Sequence, residues 1–363
     1  MSAMSDWPRC YAHADIDAFY VAVELQRRPE LKGLPVVVAG TGPRAVVTTA
    51  SYEARKFGVF SATPAERARR LCPDAVFLPP DFELYRARSR DVFAVLRDHV
   101  DQVEGASLDE AYLDLTGLER PKAAARRIKN AVLERTGLTC SIGIGPNKLV
   151  AKVASDAEKP NGFVVLTRQE ARERFKDASP GMIPGIGPRT TEKLRRGGVT
   201  TLDQLRRVPV QQLIDAFGPG TGPYLLRLAN FDDDREVTPV RPAKSESRET
   251  TFDTDIHDQA ELERILIDLS AQLCDRLVER DQRGRNIGIK VRLDDFSTFT
   301  RATTIGEPTN DAATVTPIAI DLLRAFAAPR PVRLLGVRVA GLDEESARGA
   351  RPLDDAAQLA LPL

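Results

Sequence analysis

Two short acidic strings occur in the first third of the chain, each in or at the end of an apolar stretch typical of a buried strand. The first is Asp15-Ile16-Asp17-Ala18-Phe19-Tyr20 and the second is Ser107-Leu108-Asp109-Glu110-Ala111-Tyr112. An ionised carboxylate in such a place is costly unless a cation meets it. Two acidic strand ends brought together would hold a divalent metal, and metal held by carboxylates alone usually serves phosphate chemistry.

The alternation of side chains along a strand restricts which of these acids can share a site. Asp15 and Asp17 point to one face of a regular strand, whereas the adjacent Asp109 and Glu110 point to opposite faces. Asp109 and Glu110 can serve one site only beside a turn or bulge, which suits their position between two predicted strands. Each acid alone could equally be an ordinary strand-end turn residue, but the two strings together favour a site.

Composition and charge limit the class of protein. The 363 residues suffice for about two to four domains, and 42% apolar with 29% charged residues is an ordinary globular mixture. The N-terminus has no apolar signal segment, no long apolar run occurs, and the four scattered cysteines form no CxxC pair. We therefore expect a cytoplasmic protein without a disulfide framework or zinc site. The balance of 52 basic and 52 acidic residues argues against coating of nucleic acid by bulk charge, but it allows a local basic groove.

Hydrophobic periodicity divides the chain into segments with different predicted secondary structure. Up to about residue 170 the pattern predicts a strand, helices, two strands, a helix and a strand, which is the order of a split ferredoxin-like palm with an insertion after its first strand. Residues 171–236 are predicted to be short helices with Gly/Pro turns, and two prolines within 238–243 are typical of a tether. From residue 244 strands and helices alternate in a second module. The predicted fold class is α+β.

Two further patterns suit contact with a phosphate backbone. Residues 183–188 are Ile-Pro-Gly-Ile-Gly-Pro ahead of a predicted helix. The glycines let the backbone approach a phosphate and the helix start offers N–H groups, although a plain tight turn could have the same sequence. Between residues 276 and 301, seven basic residues outnumber four acidic ones within an otherwise acidic C-terminal third.

Five strings in order resemble the Y-family of translesion DNA polymerases, and the bacterial DNA polymerase IV type is the most similar branch. They are the two acidic strings, residues 49–58 (TASYEARKFG), residues 141–148 (SIGIGPNK) and residues 159–162 (KPNG). The resemblance implies a right-hand polymerase. Its parts would be a palm of 1–19 and 82–170, fingers of 20–81, a helical thumb of 171–237 with a helix-hairpin-helix, a linker of 238–244, an α/β little finger of 245–342 and a flexible tail of 343–363.

The resemblance also implies roles for the acidic strings. Asp15, Asp109 and Glu110 would be the catalytic residues and would ligate two Mg²⁺ ions, or Mn²⁺, together with the backbone carbonyl of Ile16. Asp17 belongs to the motif but would support the site without binding metal directly. The implied reaction is template-directed nucleotidyl transfer from a dNTP to a primer 3′-hydroxyl, in low-fidelity, distributive translesion synthesis without proofreading.

A second implied set binds the incoming dNTP, and it comprises Phe19, Tyr20, Thr49, Tyr52, Arg55 and Lys159. Thr49, Tyr52 and Arg55 are spaced i, i+3 and i+6, so a helical turn could place their hydroxyls and guanidinium on one side, facing phosphate oxygens. Lys159 would add a point charge, and the Tyr20 ring would be the steric gate beneath the sugar. Without the motif, a solvated Arg-Lys face and two core aromatics would be the simpler interpretation.

Contacts to DNA and to a sliding clamp are implied elsewhere in the chain. The thumb hairpin would grip the duplex backbone through Gly185 and Gly187, and basic residues of the little finger would follow phosphates in a salt-sensitive, sequence-neutral way: Arg283, Arg285, Lys290, Arg292 and Arg301. The C-terminal hexapeptide is similar to the tail that bacterial polymerases insert into the sliding (beta) clamp, with anchors Gln358, Leu359, Leu361 and Leu363. We expect primer-template DNA, dNTPs and the clamp as partners of a monomer that binds no membrane.

Two alternative functions stay open on the sequence alone. A nucleotidyl cyclase or another carboxylate-metal enzyme could use a similar palm, although it would need no thumb hairpin, little finger or clamp tail. A catalytically inactive DNA- or clamp-binding scaffold is disfavoured by the intact set of Asp15, Asp109 and Glu110. Phe60 and Thr63 stand where the family often has Arg and Met, so template grip and lesion preference transfer less readily than the chemistry.

Overall fold

The computed structural model describes residues 7–240 and 242–343, which fall into two compact units. The first unit comprises Met1–Val38, Thr49–Lys56 and Pro80–Pro239, and the second comprises Ala39–Thr48, Phe57–Pro79 and Val240–Leu363. Within the described ranges, no helix combines the length and the apolar character needed to cross a bilayer.

Strands and helices alternate along the described residues. The strands are β1 (Tyr11–Ile16), β2 (Val36–Ala39), β3 (Val47–Ala50), β4 (Val76–Leu78), β5 (Val103–Gly105), β6 (Glu110–Asp114), β7 (Cys140–Gly145), β8 (Phe163–Val165), β9 (Ser245–Ile256), β10 (Gly284–Leu293), β11 (Thr298–Thr309) and β12 (Val332–Leu342). The α-helices are α1 (Phe19–Arg27), α2 (Tyr52–Arg55), α3 (Ala65–Leu71), α4 (Phe82–Arg97), α5 (Pro121–Thr136), α6 (Lys148–Asp156), α7 (Arg168–Arg174), α8 (Pro188–Arg196), α9 (Leu202–Arg207), α10 (Val210–Phe217), α11 (Thr221–Ala229), α12 (Gln259–Glu279) and α13 (Ala312–Phe326).

A five-stranded sheet of order β5-β6-β1-β7-β8 forms the centre of the first unit. The pairs β5–β6, β6–β1 and β1–β7 are antiparallel, while β7 and β8 are parallel. Every residue of β1 and β7 is buried, because these two strands lie in the interior of the sheet and carry the apolar runs of the sequence. The strand order agrees with the predicted ferredoxin-like palm and α+β class. The short edge strand β8 was not predicted, since three residues give too little periodicity to recognise.

The helix α6 lies against the sheet with no intervening side chain at one point. A Cβ atom added to Gly143 in β7 would fall 2.1 Å from both the Ala151 carbonyl oxygen and the Ser155 nitrogen. Only glycine allows backbones to approach this closely. The contact sets the height and rotation of α6 above the sheet, and so it determines which side chains of α6 reach the strand ends.

The same helix joins the palm sheet to the predicted thumb through one apolar core. Leu149 and Val153 of α6 belong to a buried cluster with Leu205 of α9, Leu225 of α11 and Phe231. The shared core explains why the palm and the thumb segments fall within one compact unit. The hairpin of residues 183–188 precedes α8, with Gly187 as the residue before the helix and Pro188 at its first turn, a position that suits proline.

The second unit contains an antiparallel sheet of order β11-β10-β12-β9. The helices α12 and α13 cover one face of this sheet and share its core, which includes Leu266, Leu273, Ile289, Val337 and Leu323. Arg44 of the predicted fingers lies in the same unit, where its guanidinium contacts Asp255 at 2.6 Å. The two compact units therefore do not coincide with the predicted palm, fingers, thumb and little finger, and the boundaries of these domains stay predictions.

A third sheet has the order β3-β2-β4.

Candidate active site

The two acidic strings meet at one end of the five-stranded sheet. Asp15 of β1 lies directly opposite Glu110 of β6. Asp109 comes immediately before β6, and its carbonyl oxygen accepts a hydrogen bond of 3.0 Å from the Ile16 nitrogen. Because Asp109 belongs to a turn and Glu110 begins the strand, the alternation that would separate adjacent side chains does not apply to this pair. The structure therefore brings Asp15, Asp109 and Glu110 together.

Two lysines contact these carboxylates. Lys152 Nζ lies 2.8 Å from Glu110 Oε1 and 3.2 Å from Asp15 Oδ2, while Lys159 Nζ lies 2.5 Å from the same Asp15 oxygen. Both lysines also pair with Asp156. The predicted residue Lys159 is thus placed at the site. Lys152 was missed by the sequence analysis, although its i, i+4 spacing from Lys148 and Asp156 on α6 was a usable signal.

The electrostatics of the site reflect crowded carboxylates. Burial raises the pKa of Asp109, and repulsion from Asp15 adds to the effect. Burial likewise raises the pKa of Glu110, as does its hydrogen bond with Asp15. Burial also acts to raise the pKa of Asp15, but the hydrogen bond with Glu110 and the charge of Lys159 outweigh it, so the net shift is downward. Burial therefore makes ionisation of Asp109 and Glu110 costly, and a bound cation would reduce this cost.

The chemistry of the donors fits hard divalent cations. Asp15, Asp109 and Glu110 offer carboxylate oxygens, the ligands that Mg²⁺ and Mn²⁺ prefer. Among residues 7–240 and 242–343, no group of three or more acidic, histidine or cysteine side chains is already arranged to hold an ion. Two of these carboxylate oxygens are in contact with ammonium groups. Asp15 Oδ2 contacts Lys152 and Lys159, and Glu110 Oε1 contacts Lys152.

Tyr20, the predicted steric gate, belongs to α1 and lies close to Asp109. Its ring stacks on Tyr85 of α4, with centroids 4.4 Å apart and planes inclined by 18°. Burial raises the pKa of Tyr20 to about 12, and the nearby charge of Asp109 contributes. Phe19 is different, because its side chain is only 1% exposed. Its ring belongs to the core, so the contact of Phe19 with dNTP stays a prediction that its backbone would have to fulfil.

Of the three residues expected on one helical turn, Thr49 lies on a strand, whereas Tyr52 and Arg55 lie on a helix. Thr49 is part of β3, and α2 begins only at Tyr52, so the i, i+3, i+6 argument for Thr49 was wrong. The reason is Ser51, whose side chain accepts a hydrogen bond from the Ala54 nitrogen and starts the helix there. Tyr52 and Arg55 do lie together, with the Arg55 guanidinium carbon 4.5 Å from the centroid of the tyrosine ring.

Asp17 faces a different set of groups from Asp15. Its carboxylate accepts hydrogen bonds from Ser141 Oγ at 2.7 Å, from the Asn161 nitrogen at 2.9 Å and from the Tyr52 hydroxyl at 3.4 Å. These donors belong to β7, to the turn after Lys159 and to α2 respectively. Asp17, which follows β1, therefore connects β7 and the turn after Lys159 to Tyr52 of α2.

The basic residues of the second unit do not share one face of its sheet. Lys290 and Arg292 alternate with buried Ile289 and Val291, so they point away from the helices. Arg301 lies opposite Ile289 in the register and stacks near Phe326, so it points to the helix side. The predicted DNA-contacting residues therefore do not share one face of the sheet, and the DNA contact of Arg301 stays a prediction. Two others, Arg283 and Arg285, are exposed near the start of β10, and the strand register shifts between Gly284 and Asn286.

A further basic residue on the open face was missed. Arg338 of β12 lies opposite Gly288, is exposed, and donates a hydrogen bond of 3.4 Å to Asn286 Oδ1. In the thumb hairpin, Gly185 has a φ of +99°, which favours glycine. The predicted clamp anchors Gln358, Leu359, Leu361 and Leu363 lie outside the described residues.

Sequence comparison identifies the family of each part of the chain. Residues 14–156 match the impB/mucB/samB family, and residues 243–352 match the C-terminal domain of the same family. Residues 181–230 match the thumb domain described for DNA polymerase iota. The matches follow the order of palm, thumb and little finger along the chain.

Relatives named DNA polymerase IV cover nearly the whole chain. The DNA polymerase IV of Methanoculleus marisnigri is 40% identical over 96% of this chain and 98% of its own length. That of Alkalilimnicola ehrlichii is 43% identical over 94% and 97%. That of Streptomyces coelicolor is 42% identical over 91% of this chain and 70% of its own.

Solved structures of Y-family polymerases share the fold. The chimera Dbh-Dpo4(243-245)-Dbh superposes with a TM-score of 0.82, at 28% identity over 92% of this chain and 99% of its own. An insertion ternary complex of Dbh DNA polymerase gives a TM-score of 0.65 at the same identity and coverage. Near-complete coverage by polymerase IV relatives, together with this fold, shows that the chain belongs to the Y-family of DNA polymerases and to its DNA polymerase IV branch.

Proposed function

We propose that this member of the polymerase IV family carries out template-directed translesion DNA synthesis at the carboxylate site of Asp15, Asp109 and Glu110. The observation that supports the assignment most directly is the meeting of the two acidic strings, with Asp15 opposite Glu110 and Asp109 in the adjoining turn. The thumb and C-terminal family matches disfavour a cyclase, which needs neither part. The intact acidic set disfavours an inactive scaffold.

Y-family DNA polymerases depend on divalent cations, which activate the primer 3′-hydroxyl and neutralise the triphosphate. For this chain we expect two Mg²⁺ ions, with Mn²⁺ as a possible substitute. Asp15, Asp109 and Glu110 would supply carboxylate ligands, and the backbone carbonyl of Ile16 would supply a further oxygen. The support is the all-oxygen donor set and the raised pKa values of Asp109 and Glu110.

The nucleotide side of the site would be formed by four residues that surround these acids. The Tyr52 hydroxyl and the Arg55 guanidinium would bind phosphate oxygens, and Lys159 would add its ammonium charge. The Tyr20 ring would lie under the sugar. The supporting contacts are the stacking of Tyr20 on Tyr85 and the cation–π contact of Arg55 with Tyr52.

Primer extension tests the assignment directly. With Mg²⁺ and one dNTP at a time on four templates that differ only in the first unpaired base, the complementary nucleotide should be inserted in preference to the other three. Loss of extension in chelator should be reversed by added Mg²⁺. A chain that binds primer-template but extends nothing would favour the inactive scaffold, and conversion of free nucleotide without DNA would favour the cyclase.

The open face of the second sheet provides our candidate surface for duplex DNA. Replacing Arg338 by alanine should weaken primer-template binding and should reduce the slope of log affinity against log salt by about 1, because one phosphate contact releases about one counterion. Replacing Arg292 should have a similar effect, since both side chains lie on the face away from the helices. The measurement is DNA affinity by fluorescence anisotropy at several salt concentrations.

Arg301 provides the matched control, because it is also an arginine of this sheet but lies on the helix side. The Arg301→Ala variant should keep the salt slope of the unmodified chain. An equal loss of slope from Arg301 and Arg338 would contradict the assignment of the DNA surface to one face.

The remaining expectations concern partners and location. We propose that the last six residues bind a sliding clamp, on the support of their sequence alone, and that the enzyme is a cytoplasmic monomer without proofreading. Deleting residues 358–363 should abolish stimulation of synthesis by the clamp while leaving extension without clamp unchanged. Stimulation that survives the deletion would refute the assignment.

A further inference from the structure

We infer that Asp17 is a positioning residue for the triphosphate, and that it acts by holding Tyr52 and the turn after Lys159 in a fixed relation to each other. The inference rests on the proposed function, since it assigns Tyr52 and Lys159 to the nucleotide. It gives the second acid of the first string a task distinct from that of Asp15, two residues earlier.

The contacts of Asp17 differ in kind from those of Asp15. Asp15 pairs with the ammonium groups of Lys152 and Lys159 and lies opposite Glu110. Asp17, which is 5% exposed, accepts hydrogen bonds from three neutral donors within residues 7–240 and 242–343: a hydroxyl, a main-chain N–H and a phenol. A buried carboxylate with this donor set has its lone pairs engaged by protein groups, so it is suited to hold structure and not to bind an ion.

Two of these donors fix the turn that carries Lys159. The Asn161 nitrogen donates to Asp17 Oδ2 at 2.9 Å, two residues after Lys159. Ser141 Oγ donates to Asp17 Oδ1 at 2.7 Å and accepts from the Gly162 nitrogen at 3.0 Å. Asp17 and Ser141 therefore hold consecutive backbone N–H groups of the turn, which limits where the Lys159 ammonium can reach.

Lys129 of α5 contacts the same turn through the oxygen atoms of that turn. Its ammonium donates to Asn161 Oδ1 at 2.6 Å and to the Gly162 carbonyl oxygen at 3.3 Å, and it also contacts the Cys140 carbonyl. Asn161 has a φ of 58°, a left-handed conformation that asparagine tolerates better than most residues. The turn is thus held by a carboxylate that accepts from its main-chain N–H and by an ammonium that donates to its oxygen atoms.

The third contact reaches the nucleotide side of the site. The Tyr52 hydroxyl lies 3.4 Å from Asp17 Oδ1, longer than an ordinary hydrogen bond between oxygens. A hydrogen bond of this length is weak, so the phenol could redirect its one proton from Asp17 to a phosphate oxygen when the triphosphate binds. Asp17 thereby sets the spacing between the Tyr52 hydroxyl and Lys159, the two groups proposed to share the triphosphate.

Replacing Asp17 by asparagine tests the inference. The amide keeps the shape but presents an NH₂ group to at least one donor, so the turn and Tyr52 should lose their fixed relation. We expect KM for dNTP in single-nucleotide insertion to rise about tenfold, while kcat stays within about threefold. Inhibition by inorganic pyrophosphate should weaken by a similar factor, because pyrophosphate probes the same phosphate contacts. The Mg²⁺ concentration for half-maximal rate should stay the same.

A second variant keeps the test valid if Asp17→Asn folds poorly. Lys129→Met removes the contacts of the ammonium with Asn161 and Gly162 while keeping Asp17, Tyr52 and the acids of the site in the sequence, and it should raise KM for dNTP about threefold. The Asp114→Asn variant is the control, because Asp114 lies at the far end of β6 and its carboxylate accepts a hydrogen bond from the nearby Thr116 nitrogen. It should leave KM unchanged.

The outcomes separate this inference from the proposed function. Direct calorimetric titration of dNTP with Mg²⁺ should show the same weakening in Asp17→Asn, and this measurement needs no turnover. A fall in kcat with a raised Mg²⁺ requirement and an unchanged KM would place Asp17 at the metal and overturn the inference. Unchanged KM and pyrophosphate inhibition in both variants would also overturn it. Absence of extension by the unmodified chain would instead refute the proposed function.

Discussion

Replacing Asp109 by asparagine should reduce template-directed primer extension by about a thousandfold or more, the largest effect that we expect from one substitution. Asp109 is held by the Ser107 hydroxyl at 2.5 Å and lies in the turn that adjoins Asp15. Asparagine keeps the shape but loses the negative charge and one ligand oxygen, so the site would bind divalent cations poorly and would lose charge stabilisation in the transition state. The measurement is the single-turnover rate with enzyme in excess over primer-template.

The Asp114→Asn variant is again the matched control, because it removes an acid from the other end of the same strand. It should extend primers at nearly the rate of the unmodified chain. Primer-template affinity of Asp109→Asn should be retained, which separates lost chemistry from lost folding. Undiminished extension by Asp109→Asn would mean that this carboxylate is not part of the catalytic set.

Replacing Tyr20 by leucine should raise the use of ribonucleotides relative to deoxyribonucleotides by about a hundredfold, or about 2.7 kcal/mol in relative transition-state free energy. The ring of Tyr20 is held flat against Tyr85 and edge-on to Phe82, with centroids 4.4 Å and 5.9 Å away. A ring held in this way cannot swing aside for a 2′-hydroxyl, whereas leucine is smaller and leaves room. The quantity to compare is kcat/KM for one complementary rNTP and the corresponding dNTP.

The Tyr20→Phe variant distinguishes the ring from its hydroxyl. It keeps the stacked ring and should therefore keep the discrimination of the unmodified chain. If Tyr20→Leu showed the same sugar preference as Tyr20→Phe, the gate would have to lie elsewhere in the site.

The meeting of the two acidic strings could be predicted from sequence because their signal is local. Each string ends an apolar strand, and burial of charge there requires a partner wherever the strand is placed. Even the relation of Asp109 to Glu110 followed from alternation, which demanded a turn at that point, and the structure has Glu110 as the first residue of β6. The fold class followed from the order of the elements for the same reason.

The residues that were missed or misplaced depend on packing between distant segments. Lys152 reaches Asp15 and Glu110 only because α6 lies directly on β7 at Gly143. The face of Arg301 is fixed by the register of β11 on β10, which no single strand reveals. Thr49 was placed on a helix because a uniform spacing was assumed across Ser51. The capping preference of serine was a signal for the change from strand to helix that could have been used.

The glycine contact between α6 and β7 has a consequence for engineering the enzyme. Where main-chain atoms meet directly, there is no layer of side chains whose rotamers could absorb a shift, so the helix and the strand behave as one rigid piece of scaffolding. Seven of the nine residues of α6 are buried, and the two that are not, Lys152 and Asp156, project from this scaffold into the ion pairs of the site. Libraries that aim at altered metal or nucleotide preference can therefore vary Lys152 and Asp156 to change the charge around the acids, provided that Gly143 and the buried residues of α6 are kept.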